Sequence, residues 1–194
     1  MRIAVLMTNT DETDFAQKHP KDGEKFTSLI KTVRPDWDLD IYSTKDDIFP
    51  EDITMFDGVL ITGSPASVHE DSAWVPRLLK QIRVAYDANV PMFGACFGHQ
   101  AIALALGGAV TRNPNGWAFG LLEMQVTKRA PWYDGPTTLL QYGAHVEQVT
   151  QLPDGAEAIF STEGCPVAGF VLADRVYTTQ NHPEMTPEFI AALV

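Results

Sequence analysis

The sequence predicts an α/β fold on a largely parallel sheet, and three observations lead there. In the first half of the chain, short apolar runs that read as strands alternate with helical periodicity, the signature of βαβ units. From Phe119 onward the pattern changes to short strands separated by turns, which reads as an antiparallel extension of the same sheet and its return. The length of 194 residues fits one domain, 1–194, because a typical domain takes about 150 residues and a large second one has no room.

Residues 3–6, Ile-Ala-Val-Leu, read as a buried strand, and the polar run 8–25 as an acidic loop leading into a helix. Phe26, Leu29, Ile30 and Val33 recur on one helical face, and Pro35 stops it. Residues 39–42 alternate like a strand, and 59–62 form a strongly apolar one ended by the turn-forming Gly63-Ser64-Pro65. Trp74, Leu78, Ile82, Ala85 and Tyr86 mark an amphipathic helix. A short strand at 90–93 runs through Gly94-Ala95-Cys96-Phe97-Gly98 into a helix at 99–106, closed by Gly107. The later strands are expected at 121–126, 158–161, 167–172 and 176–180. A last helix starts near Pro187 and is cut off at Val194, so the native chain is expected to continue.

Composition narrows the function. The chain has 14 basic and 25 acidic residues, a net charge of −11, so its field repels phosphate backbones and anionic membrane surfaces. Nucleic acid and membrane are therefore not expected as partners. Only two cysteines occur, Cys96 and Cys165, far apart in sequence, which fits a reducing compartment. No secretory signal follows Met1, and the longest mostly apolar segment, 101–110, holds Gly107 and Gly108 and is far short of a membrane span. These features together read as a cytoplasmic protein.

Gly94-x-Cys96-x-Gly98 is a nucleophile-elbow pattern with cysteine at the nucleophile position, and it lies between a strand and a helix, as that motif requires. The nucleophile of an elbow sits in a tight turn, so its flanking glycines must carry no Cβ. The helix N-terminus favours a thiolate and offers the backbone N–H of Phe97 as an oxyanion donor. Most free cysteines are simply small buried hydrophobes, and the strand-to-helix context is what raises Cys96 above that reading. A cysteine nucleophile also needs a base with an orienting partner. His182 follows the last strand, and Pro183 keeps the chain extended, which puts Glu184 on the same side. A Cys96-His182-Glu184 triad follows.

The other histidines carry less. His19 and His69 lie in polar loops and read as solvated. Cys96-x-x-His99 has half the spacing of a zinc site, but no second Cys or His pair completes it, so no metal is expected. His145 lies in what reads as a Gly-flanked loop beside Glu147, either as a substrate contact or solvated at the surface. Cys165 reads as structural. Neither a phosphate-binding G-x-x-x-x-G-K-[ST] loop nor a G-x-G-x-x-G is present, so no nucleotide cofactor is expected.

Gly94-Ala95-Cys96-Phe97-Gly98-His99-Gln100, with His182-Pro183-Glu184 following, resembles the class I, triad-type, glutamine amidotransferase domain. The resemblance runs from the first strand to the His182-Pro183-Glu184 segment, and is strongest to stand-alone members similar to the amidotransferase half of GMP synthase. It implies a flavodoxin-like three-layer fold and hydrolysis of a glutamine side-chain amide through a cysteine thioester. Cys96 then corresponds to the nucleophile, His182 to the general acid and base, and Glu184 to its orienting group. Gly63 and Phe97 correspond to the oxyanion donors, while Gln100 matches a position lining the substrate pocket, where Ser64 and His145 are also expected. Asn181, where the family often has an aromatic residue, and Ala144-His145-Val146-Glu147, in place of Ser-His-x-Asp, depart from its pattern.

Three readings stay open at this level: an amidotransferase subunit feeding a separate synthetase, a self-contained hydrolase of γ-glutamyl amides or peptides, and a silent regulatory protein that keeps the fold. Loops 64–72 and 112–120 would receive partner contacts, with Trp74 and Trp117 serving either as a docking surface or as walls of core and pocket.

Overall fold

In the computed structural model, which describes residues 1–193, β1 (Arg2–Met7) lies at the interior of a nine-stranded sheet ordered β2-β1-β3-β4-β11-β10-β9-β6-β7. It is flanked by β2 (Asp38–Ser43) and β3 (Gly58–Ile61), and β4 (Met92–Ala95) and β11 (Val176–Thr179) follow beyond β3, all pairing in parallel. Residues 3–7 are buried without alternation, as a strand covered on both faces requires. Beyond β11 the sheet turns antiparallel through β10 (Cys165–Leu172), β9 (Ala156–Thr162), β6 (Ala118–Val126) and β7 (Thr138–His145). The expected parallel half and antiparallel extension are both present, on one continuous sheet.

Helices cover the two faces unequally. On one side α3 (Trp74–Asp87) and α4 (Phe97–Ala105) bury Leu78, Ile82, Phe97 and Ile102 against Ala4, Leu6, Ile61 and Phe170. On the other, α2 (Asp22–Lys31) presses Phe26 onto Ile3, Val5 and Leu60. This is the expected three-layer arrangement. The aromatic rings of Phe93, Tyr177, Trp132 and Phe160 extend the second face, with Trp132 and Tyr177 packed edge to face at 5.0 Å.

Several expectations need correction. The stretch 8–25 is not one loop. It holds α1 (Asp14–Gln17), whose N-terminus is capped by Thr13 Oγ1 accepting the Ala16 N–H at 3.3 Å, and the first turn of α2. There Glu24 folds back to accept the Lys21 N–H at 2.8 Å. Val33 lies past the end of α2 and is 65% exposed, so the core-facing stripe of that helix is shorter than the periodicity suggests. β5 (Ala109–Arg112) and β8 (Glu147–Gln151) form a separate antiparallel pair, and β7 occupies what reads as loop in the sequence. The final helix, α5 (Pro187–Leu193), begins where expected, while Val194 lies outside the described residues.

Candidate active site

β4 delivers Cys96 to the carboxyl end of the sheet, and α4 starts at the next residue. Cys96 has φ 49° and ψ −104°, a conformation that side-chain-bearing residues rarely adopt. Three backbone bonds hold it there: Cys96 N–H to the Thr179 carbonyl at 2.9 Å, Gly98 N–H to Thr62 at 3.1 Å, and Gln100 N–H to Cys96 at 3.1 Å. A Cβ on Gly98 would collide with the Ile61 carbonyl, and one on Gly94 would lie 2.6 Å from the Gly98 carbonyl. The elbow pattern thus has a steric basis in the packing of α4 against β3 and β4. Phe97 is locked by its ring against Trp74, 5.4 Å between centroids, and its N–H is at the first helical position, where no intrahelical carbonyl can accept it.

β11 is the parallel neighbour of β4, with Thr179 beside Ala95, so the segment after β11 rises next to Cys96. His182 is fixed by its N–H donating to the Tyr142 carbonyl at 2.8 Å. Its Nδ1 lies 2.7 Å from Glu184 Oε1, both side chains being buried, and its ring and the Cys96 side chain flank the same point beside Gly63. Burial opposes a charge on His182, but the Glu184 carboxylate and the Cys96 sulfur outweigh it, and the imidazole's pKa is raised well above its ordinary value. The residues named from sequence as nucleophile, base and orienting group are thus brought together.

Gly63 stands between them. A Cβ there would lie 2.7 Å from His182 Cε1 and 3.5 Å from Cys96 Cβ. The preceding carbonyl, Thr62, accepts the Gly98 N–H at 3.1 Å and lies 3.0 Å from Thr8 Oγ1. Because the peptide is planar and trans, the Gly63 N–H points away from that carbonyl's partners. Thr8 Oγ1 is also 3.0 Å from the Gly63 carbonyl, and the Thr8 N–H donates to Thr62 Oγ1 at 3.0 Å. Thr8 is missed by sequence reading. The only signal for it is a threonine directly after the first strand, matched by Thr62 directly after the third.

Cys96 opens onto a pocket lined by Ser64, Gln100, His145 and Glu147, which collects the three expected substrate contacts. Gln100 Nε2 donates to the Glu147 carbonyl at 2.8 Å and to Gln180 Oε1 at 3.2 Å. His145 Nδ1 donates to the same Glu147 carbonyl at 3.0 Å, and the Glu147 carboxylate accepts the Ser67 hydroxyl. Ser64 Oγ accepts the Ala66 N–H at 3.2 Å. His145 is the last residue of β7 and is buried, so neither the loop nor the solvated alternative holds for it. Burial lowers its pKa, helped by the nearby His182, against the bond to the Glu147 carbonyl.

His99 points elsewhere. Its Nδ1 is 2.8 Å from Thr178 Oγ1, its ring packs on Phe170, and complete burial lowers its pKa to about 3. Cys165 is buried with its thiol pushed up to about 12, in keeping with a structural role. Trp74 is core, whereas Trp117 is 65% exposed at the pocket rim. Among the described residues no helix is long and apolar enough to cross a membrane.

The family model for class-I glutamine amidotransferases matches residues 26–189. Gamma-glutamyl peptidase 3 of Arabidopsis thaliana is 28% identical over all of this chain and 80% of its own length. The glutamine-hydrolyzing GMP synthase of Acinetobacter baylyi is 32% identical over 94% of this chain, which spans 33% of that longer protein. Among solved structures, a glutamine amidotransferase from Thermotoga maritima superimposes with a TM-score of 0.84 at 19% identity, covering 99% of this chain and 80% of the other, a likeness of fold.

Proposed function

We propose that this chain, which belongs to the class-I glutamine amidotransferase family, hydrolyses a γ-glutamyl amide through a cysteine thioester, using Cys96, His182 and Glu184. The observation that carries the reading is the convergence of Cys96 and the His182 ring beside Gly63, with the ring's Nδ1 2.7 Å from the Glu184 carboxylate, at an elbow whose backbone is strained. The Cys96 thiolate adds to the γ-carbonyl, and the oxyanion is held by the N–H groups of Gly63 and Phe97. The carbon–nitrogen bond breaks as imidazolium His182 gives its proton to the departing nitrogen. Neutral His182 then takes a proton from water, the hydroxide adds to the thioester carbonyl, and the carbon–sulfur bond breaks to release glutamate and restore the Cys96 thiolate. Glu184 holds the imidazole in orientation and stabilises its charged form. Ser64, Gln100 and His145 contact the glutamyl part. The sequence acts as one domain over 1–194.

Two versions of this activity differ in partner. As an amidotransferase subunit, the chain would pass ammonia to a separate synthetase, the reading favoured by its likeness to part of a GMP synthase. As a self-contained hydrolase, it would act on γ-glutamyl peptides, favoured by a match to most of the length of a gamma-glutamyl peptidase. We adopt the second. The test is steady-state glutamate release from glutamine and from γ-glutamyl dipeptides by the isolated chain, with Cys96→Ala as control. Release from dipeptides well above control supports it, whereas release from glutamine alone, or only with a synthetase added, supports the subunit.

A further inference from the structure

The mouth of the cysteine pocket continues into an exposed apolar surface. Trp117 and Ala144 line the pocket, and Ala144 is the cross-strand neighbour of Phe119 on the hairpin of β6 and β7. Cross-strand neighbours share a face, so Phe119 and Ala144, then Leu121 and Tyr142, form two successive apolar rungs leading away from the pocket. Trp117, Phe119 and Leu121 are each more than half exposed. The face ends quickly: the next rung pairs Leu140 with Glu123, and the one after pairs Thr138 with Gln125. Two to three rungs match one or two ligand side chains, and fall well short of the roughly 800 Å² per partner of a stable protein interface.

Charge defines the rest of the ligand. Arg112 is the one cation among the described lining residues of the pocket, is exposed, and takes part in none of the ion pairs among the described residues. It lies opposite Glu147 across the β5–β8 pair, but the Glu147 carboxylate is already engaged by Ser67. On a chain of net charge −11, an unpaired arginine at the rim is a local site for a carboxylate that the rest of the surface repels. An apolar face beside a carboxylate site fits the free end of a peptide.

Resting on the proposed hydrolase reading, we propose that this rim binds the departing residue of a γ-glutamyl dipeptide whose C-terminal residue is apolar. The side chain of that residue lies on Trp117, Phe119 and Leu121, and its carboxylate meets Arg112. The bond cleaved is the same γ-amide, and the proton from His182 goes to the amine of the departing amino acid rather than to ammonia.

The experiment compares kcat/KM for γ-Glu-Phe, γ-Glu-Ser, the C-terminal amide of γ-Glu-Phe, and glutamine, in the unaltered chain, in Phe119→Ser/Leu121→Ser and in Arg112→Gln. The expected result is γ-Glu-Phe turned over at least about tenfold more efficiently than γ-Glu-Ser. The double substitution removes that advantage, and Arg112→Gln lowers γ-Glu-Phe toward the value for its amide. Equal efficiency for Phe and Ser leaving groups, or a double substitution that lowers all substrates alike, overturns the proposal. So does a dimer that the double substitution dissociates without changing substrate preference, which assigns the face to a second copy. If no compound is hydrolysed, the hydrolase reading fails by itself, and calorimetric binding to Cys96→Ala decides the rim: about tenfold tighter γ-Glu-Phe than γ-Glu-Ser upholds it, and equal binding rejects it.

Discussion

At the scale of single residues, the candidate site places hydrogen-bonding groups and glycines where any change has a defined consequence. Cys96→Ala is expected to abolish glutamate release and labelling by a glutamine-like electrophile, with the fold kept. Cys165→Ala should retain both, because burial holds that thiol protonated, pushed up to about 12. His182 moves protons in both half-reactions, so His182→Ala should lower kcat by about 10² to 10⁴, and Glu184→Gln by less. Turnover falling equally in His145→Ala and His182→Ala would reopen the choice of base. Gly63→Ala is a sharper test, since its methyl group would stand 2.7 Å from His182 Cε1 and must displace the imidazole. A misplacement of about 1 Å is worth about 10² in rate, so kcat should fall by that order while the melting temperature changes little. A Gly63→Ala chain with full turnover would show that this glycine is not at the reacting centre.

At the scale of elements, the parts read correctly from sequence are those whose signal is local. β1, β3, α3 and the turn from β4 into α4 carry continuous apolar runs, helical periodicity or paired glycines, and each lies within a residue or two of its expected place. β7 and β8 were illegible because their information is long-range. β7 carries Gly143 and a mixed burial pattern, and only Val146 separates the two strands, so the junction has no turn signal. His145 is consequently a buried strand residue despite its loop-like surroundings in sequence. The candidate triad was legible because His182 follows a strand parallel to β4 with Glu184 two residues on, but Pro183 and Glu184 form a turn rather than the extended segment that the sequence predicts, and this turn is what brings Glu184 Oε1 to the His182 ring. Thr8 was not, because its role exists only once β1 and β3 are adjacent. Thr8→Val keeps the shape and removes the hydroxyl 3.0 Å from the Thr62 and Gly63 carbonyls. It should lower stability by about 1–2 kcal/mol and reduce kcat more than it changes KM, because the turn bearing Gly63 loses its anchor. Unchanged kcat in a destabilised Thr8→Val chain would confine Thr8 to folding.

At the scale of the whole molecule, three buried histidines set how stability depends on pH, and their signs differ. The pKa of His182 is raised when folded, so its contribution is fully present below the unfolded value of about 6.5 and is lost as pH rises through the folded value. Those of His99 and His145 are lowered, the former to about 3. Below about pH 6.5 the unfolded chain binds protons at these two positions while the folded chain does not, so folding weakens as pH falls. The exposed carboxylates with lowered values, Glu12, Asp46, Asp52 and Glu188, act only near and below their ordinary range and are screened by solvent. The histidines therefore place the stability maximum near pH 6.5, with a decline on the acid side that for His99, neutral in the folded chain down to about 3, is roughly 1 kcal/mol per pH unit, and to which His145 adds in the same direction. Urea unfolding at pH 5.0, 6.5 and 8.0 measures the curve, and His99→Leu isolates one contributor. That variant loses the contact between His99 and Thr178 and is expected to be less stable throughout, so the informative quantity is the slope. Between pH 6.5 and 5.0 the slope should become shallower, what remains being the share of His145. A slope in His99→Leu equal to that of the unaltered chain would show that His99 is not held neutral in the folded core, and would locate the acid sensitivity elsewhere.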